Sequence, residues 1–276
     1  MSVRLRRKAW VSFILAFSFL ASPLLGQEQE TAVPISTDRP SESAGPGVVP
    51  PLALQFEMGY KRSRAESQDV LIDTQEVPEL LVRVGLLETL EARFTMNGWS
   101  FQDARSGREN GFNDVSLGAK WAFAPVEHGP LPQAALLAEV KLPVGDPGFT
   151  DDFVNSKFLM LFTNTLTDRV SLTYNFGASF IRLKDEARGE RTVVDLPYTA
   201  MFSGSLRGRW GWFAELFGAI ALDKSHDRCP DRHAIQAGVA ALITDVVQLD
   251  VRVGVGLVDN VSIWLVGAGV GFRLLR

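Results

Sequence analysis

The chain has 276 residues, 46% of them hydrophobic and 22% charged, with a formal net charge of −4. That length supports one large domain, and so apolar a composition excludes a disordered protein. The mild negative charge gives no basis for nucleic-acid binding, and a single cysteine, Cys229, excludes an internal disulfide.

Arg4, Arg6, Arg7 and Lys8 precede an apolar run from Ala9 to about Leu25. This is the layout of a secretory signal peptide, expected over residues 1–26 with cleavage after Gly26. A retained anchor is the alternative, but the run is short for a spanning helix. No later stretch reaches about 18 continuous apolar residues, so helical spans are excluded from the mature chain. Residues 27–51 are polar and proline-rich, without periodicity, and predict an extended segment.

From residue 52 to 276 the pattern is that of strands. About twelve candidates start near residues 52, 76, 89, 112, 133, 156, 170, 193, 210, 233, 247 and 262. The clearest runs from Val170 to Phe180, where Val170, Leu172, Tyr174, Phe176, Ala178 and Phe180 alternate with small or polar residues. Alternation over so many residues describes a strand with two different solvents on its faces. Tight turns are predicted at 87–89, 167–169, 207–209 and 244–246. Longer charged loops are predicted at 64–73, 102–110, 145–155, 184–191 and 223–232. Short turns on one side and long loops on the other are the asymmetry of an outer-membrane barrel.

The apolar face carries Leu54, Phe56, Met58 and Tyr60, then Leu80, Val82 and Val84. It continues through Val115, Leu117, Trp121 and Phe123 to Leu249, Val251, Val253 and Val255. The opposite face carries Glu57, Lys61, Arg83, Glu91, Arg93, Asn97, Lys120, Glu139, Lys141, Glu215, Asp250 and Arg252. A basic side chain held in mid-bilayer lipid costs about 2–4 kcal/mol. Arg83, Arg93, Lys120, Lys141 and Arg252 would together cost on the order of 10–20 kcal/mol there, comparable to the stability of a whole domain. The charged face must therefore line a lumen. An open sheet edge in hydrocarbon would strand a row of backbone polar groups, so the sheet must close. The expected fold is all-β: a transmembrane antiparallel up-and-down β-barrel of about twelve strands in the bacterial outer membrane. A soluble sandwich is the competing architecture, but it rarely needs a dozen strands this long.

Several segments resemble, in order, the transporter family named after the meta-pathway of phenol degradation. They are Ile35-Ser36-Thr37-Asp38-Arg39-Pro40, Gln55-Phe56-Glu57-Met58-Gly59, Pro78 to Leu86, Asp114 to Lys120, Leu142-Pro143-Val144-Gly145 and Val266 to Phe272. The resemblance implies an outer-membrane barrel that helps small hydrophobic or aromatic compounds cross. It also implies assembly by the barrel assembly machinery, usually guided by a terminal aromatic residue. This chain departs from that pattern by adding Leu274-Leu275-Arg276 after Phe272.

Twelve strands enclose either a narrow pore or a lumen filled by another segment. Residues 27–51 are the natural plug, with Thr37, Asp38, Arg39 and Pro40 as candidates to meet the wall charges. A periplasmic tail is the alternative. Gly85, Gly118, Gly177, Gly254, Gly267 and Gly269 would leave local room for a solute. Lumenal charges of both signs argue against strong ion selection. Ser225 beside His226 is a poor hydrolase pair, since neighbours on a strand point opposite ways, and His226, Cys229 and His233 make a weak metal set. No catalytic residue, cofactor or metal is expected. The chain reads as a passive channel whose partners are outer-membrane lipid and a small hydrophobic or aromatic solute. A closed barrel acting through its surface loops is the second reading.

Overall fold

A computed structural model describes residues 33–274, apart from 68–69, 106, 127–130, 186–188, 223–230 and 259–261. The expected signal peptide, Ser225, His226, Cys229 and the terminal Leu275-Arg276 lie outside the described residues.

From Pro34 onward the chain folds as one unit. Its strands are β1 (Leu54–Ser67), β2 (Val70–Leu87), β3 (Leu90–Met96), β4 (Trp99–Ala104), β5 (Gly107–Phe112), β6 (Val115–Ala124) and β7 (Gln133–Leu142). They continue with β8 (Asn155–Thr167), β9 (Val170–Asp185), β10 (Gly189–Ser205), β11 (Trp210–Ala221), β12 (Arg232–Thr244), β13 (Val247–Gly256) and β14 (Ser262–Leu274). The strands pair antiparallel with their chain neighbours except between β2 and β6, where β2 pairs with both β3 and β4, β3 with β6, and β4 with β5. β1 closes the sheet by pairing β2 on one side and β14 on the other, with Phe56 opposite both Val82 and Phe272.

The fourteen segments make a twelve-stranded barrel, because β3 with β4 and β5 with β6 are each one bent strand. The bend has a local cause. Pro78 has no N–H to give the ladder, and opposite it Gly98 takes φ 49°, where a Cβ would lie 2.7 Å from the proline ring. The Asn113 amide donates to the carbonyls of Asn97 and Gly98, each at 3.1 Å, and bridges the break. The Asp114 carboxylate then accepts the backbone N–H of Gly145 and of Asp151, fixing the loop between β7 and β8.

The two faces separate by solvent. Leu117, Trp121, Val251 and Val253 point outward and are half or more exposed, whereas Glu57, Glu91 and Lys120 on the inner face are fully buried. Phe56 and Phe272 stack at 5.1 Å on the outer surface near the end where the chain enters and leaves the barrel, and Trp121 and Phe123 lie 5.7 Å apart. They form part of an aromatic girdle.

The tight turns fall where expected, but three charged connections do not. The stretches 64–73, 102–110 and 184–191, expected as loops, are mostly strand: β1 runs to Ser67, β4 to Ala104 and β9 to Asp185. Their charges pair across the hairpins, Arg62 and Arg64 with Asp73, Arg108 with Asp103, and Arg182 with Glu190. Beyond the membrane both faces of a hairpin are wet, so charge there marks water rather than the end of a strand.

Candidate functional site

Residues 34–51 form no regular secondary structure. The backbone of such a segment needs partners from elsewhere, and inward-facing wall side chains supply them. The chain enters at the β12–β13 turn, where the Ile35 N–H donates to the Asp245 carbonyl at 2.7 Å. Its far end is fixed by the Leu52 N–H on the Gly85 carbonyl at 2.8 Å, just before β1 begins.

Between these points wall carboxylates take the segment's N–H groups. Glu57 accepts from Asp38 and Arg39, Glu215 from Glu42 and Ser43, and Glu91 from Val49. Wall cations take its carbonyls. Arg83 donates to Ser36 and Gly47, Lys120 to Gly45 and Gly47, and Arg252 to Pro40 at 2.7 Å. The Asn175 amide does both with Ala44, at 2.8 and 3.0 Å. Ser43 adds a hydroxyl bond to Thr199 at 2.6 Å.

Three side chains of the segment, Asp38, Arg39 and Glu42, complete the charge pattern. Asp38 sits among Arg93 at 2.6 Å, Lys120 at 3.5 Å and Arg83 at 3.8 Å. Arg39 reaches Glu79 at 2.8 Å and Asp250 at 3.4 Å, while Arg252 bonds Glu79 at 2.7 Å and Glu42 at 3.1 Å. Thr37 accepts from Gln248 at 2.6 Å. These partners lie on β1, β2, β3, β6, β9, β10, β11 and β13, so strands from most of the barrel converge on the segment.

The sequence-derived residues divide into two groups. Glu57, Arg83, Glu91, Arg93, Lys120, Glu215, Asp250 and Arg252 all contact the segment. Lys61, Asn97, Glu139 and Lys141 lie apart from it: Lys61 pairs with Glu76 and Glu79, Asn97 bonds Glu76, Glu139 pairs with Lys157, and Lys141 with Asp151. Glu79, Asn175 and Ser43 were missed as site residues. Parity alone marks Glu79, which lies on the same face as Arg83.

The glycines do not leave the room for a solute expected of them. A Cβ on Gly85 would lie 2.0 Å from the Pro50 carbonyl, and one on Gly269 2.6 Å from the Arg39 guanidinium. The other four are crowded by cross-strand neighbours, Gly177 by the Phe158 carbonyl at 1.8 Å among them. The space is taken up by the segment and by strand packing.

Open space lies elsewhere. A cavity of about 480 Å³ adjoins the segment and is lined on the wall side by Thr163, Ser171, Thr173, Met201, Ser203 and Phe213. Among the described residues no ionised wall side chain lines it, and the charged residues there are Asp38 and Arg39 of the segment, which face the opposite wall. A second cavity of about 360 Å³ near the β7–β8 loop is charged, with Glu139, Lys141, Asp151, Lys157 and Arg232. An apolar cluster of Leu137, Leu159, Leu161, Ala122 and Ala135 faces inward and packs on Ala44 and Val48 of the segment. Among the described residues no group of three or more His, Cys, Asp or Glu is placed to hold a metal ion.

The sequence profile of the family described as "Putative MetA-pathway of phenol degradation" matches residues 37–274, which includes the segment as well as the barrel. The fold is similar to that of an outer membrane channel from Pseudomonas putida F1, at TM-score 0.65 and 14% identity over 87% of this chain and 100% of that one. It is also similar to the NanC porin (TM-score 0.52, 11% identity, 80% and 100% covered) and to the β domain of the Bordetella autotransporter BrkA (0.52, 12%, 80% and 99%). At these identities the likeness is one of fold. No curated protein matches the sequence.

Proposed function

The chain belongs to this phenol-degradation family and folds as an outer-membrane barrel, and from that premise we propose that it is a passive channel for small, neutral aromatic compounds that slip past a fixed constriction. The segment 34–51 narrows the lumen, and solute moves beside it along the short-turn halves of β8, β9, β10 and β11. The observation that carries this reading is the division of the lumen. The segment bonds the charged wall and also Asn175, Thr199 and Glu215 on β9, β10 and β11, while the short-turn halves of β8 to β11 stay open and offer hydroxyls with Met201 and Phe213. Hydroxyl groups can exchange hydrogen bonds with a phenolic O–H, and the methionine and phenylalanine suit its ring. An ion gains little there, since its hydration shell would be replaced only by weak dipoles.

Catalysis plays no part in this proposal, and export by the expected signal peptide would bring the chain to the outer membrane. Uptake of substituted phenols into proteoliposomes, measured against protein-free vesicles, tests it. Uptake above the lipid background is expected, and Met201→Trp should cut it several-fold without changing unfolding temperature. A closed barrel acting through its surface is favoured by the apolar seal of Leu137, Leu159 and Leu161 on Ala44 and Val48. That reading requires uptake equal to background and no effect of Met201→Trp.

A further inference from the structure

The outer surface of β1 changes character above Tyr60. Met58 and Tyr60 continue the apolar belt, but the next two outward residues are Arg62 and Arg64. Both guanidinium groups lie over the ring of Trp264, at 5.9 and 5.6 Å from its centre. Arg62 donates to both oxygens of Asp73, at 2.8 and 3.0 Å, and Arg64 to one of them at 3.1 Å. Two cations thus share one carboxylate, which leaves one positive charge. The two side chains stay 44% and 43% exposed, so donors remain for an outside partner.

Their height matters. Arg62 is eight residues beyond Leu54, the first of β1 (62 − 54 = 8). At about 3.3 Å per residue and a tilt of about 40°, that places it roughly 20 Å up a belt about 25 Å tall. This is the headgroup edge of the outer leaflet.

Trp264 also forms the rim of a groove of about 800 Å³ between β10 and β14. Ala200, Ala214 and Ala237 make the hollow, and Phe202 and Ile235 are among the apolar residues around it. These residues are on the lipid-facing side of their strands. One tryptophan therefore joins an apolar groove to a pair of arginines.

We propose that the groove and the arginine pair bind a phosphorylated, multiply acylated lipid of the outer leaflet. An acyl chain occupies the groove, and a phosphate accepts hydrogen bonds from Arg62 and Arg64. Guanidinium suits phosphate because its planar fork can donate two parallel bonds, and the tryptophan beneath holds the fork in place. A neutral lipid would gain nothing from the cations, and free phosphate nothing from the groove, so only a lipid carrying both parts uses the whole surface. The site faces away from the lumen and does not depend on the channel reading.

The test uses full-length protein purified in a neutral detergent. Binding of a diphosphorylated, multiply acylated glucosamine lipid is followed by native mass spectrometry, beside its dephosphorylated form and inorganic phosphate alone. Arg62→Gln with Arg64→Gln is expected to weaken binding of the phosphorylated lipid about tenfold or more, the equivalent of one charged hydrogen bond. Ala214→Phe, which fills the groove and keeps both arginines, should weaken it as well. Heat-modifiable gel migration confirms that each variant is folded. Unchanged affinity in the arginine variant, equal binding of the dephosphorylated lipid, or binding of phosphate alone with the same arginine dependence would each overturn the proposal.

Discussion

Asp38 holds more of the lumen together than any other single side chain of the segment. It is the one carboxylate that the segment adds among Arg83, Arg93 and Lys120, where the wall supplies Glu57, Glu91 and Glu139. Removing one partner of a buried ion network costs about 3–5 kcal/mol. Asp38→Asn should therefore lower stability by several kcal/mol in chemical unfolding followed by circular dichroism. Lys120→Met should be costly on its own and less so in the double variant, because each change removes the charge that the other leaves unpaired. A double-mutant cycle that sums additively would show the two groups are not coupled. The wall charges were legible in the sequence because no other face could hold them. The inward Leu137, Leu159 and Leu161 were not. β7 reads Ala134-Ala135-Leu136-Leu137-Ala138 and β8 reads Phe158-Leu159-Met160-Leu161-Phe162, so both faces are apolar and the alternation that marks a lumen vanishes.

At the scale of the element, the question is whether the segment 34–51 moves. Its bonds to the wall contribute about 1 kcal/mol net each. Those to Glu57, Glu215, Glu91, Arg83, Lys120, Arg252 and Asn175 alone sum to on the order of 10 kcal/mol. An excursion that breaks them all is populated too rarely to serve a channel, so the proposed role of the segment is that of a constriction rather than a gate. A disulfide between Ser43→Cys and Thr199→Cys, in a chain with Cys229→Ser, tests this, since the two hydroxyls lie 2.6 Å apart. Phenol uptake should be the same with the bridge closed or reduced, and uptake that needs reduction would mean the segment must leave. Its partly polar, proline-rich composition predicted an extended stretch but not its path. That path is written in the wall, in side chains up to 212 positions later in sequence, and no local pattern reports it. The strand ends behave in the opposite way. The alternation located nearly every strand start, yet charge at 64–73 and 184–191 suggested loops where the strands continue into water.

At the scale of the whole molecule, two solvents and one internal segment account for the architecture. Hydrocarbon selects the outward face, and sheet closure follows from the lack of any partner for an open edge. Twelve strands then leave a lumen too wide to fill with wall side chains alone, and residues 34–51 occupy part of it. Barrel, closure and facing were readable from periodicity and the cost of charge in lipid. The outward Arg62, Arg64 and Trp264 cluster was not, because it depends on which strands are neighbours across the closing seam. The most direct test is single-channel conductance in planar bilayers of the intact protein against a variant lacking residues 34–48. A small conductance that rises several-fold on deletion is expected if the segment narrows the lumen. Equal conductance in the two proteins, both folded by heat-modifiable migration, would contradict it.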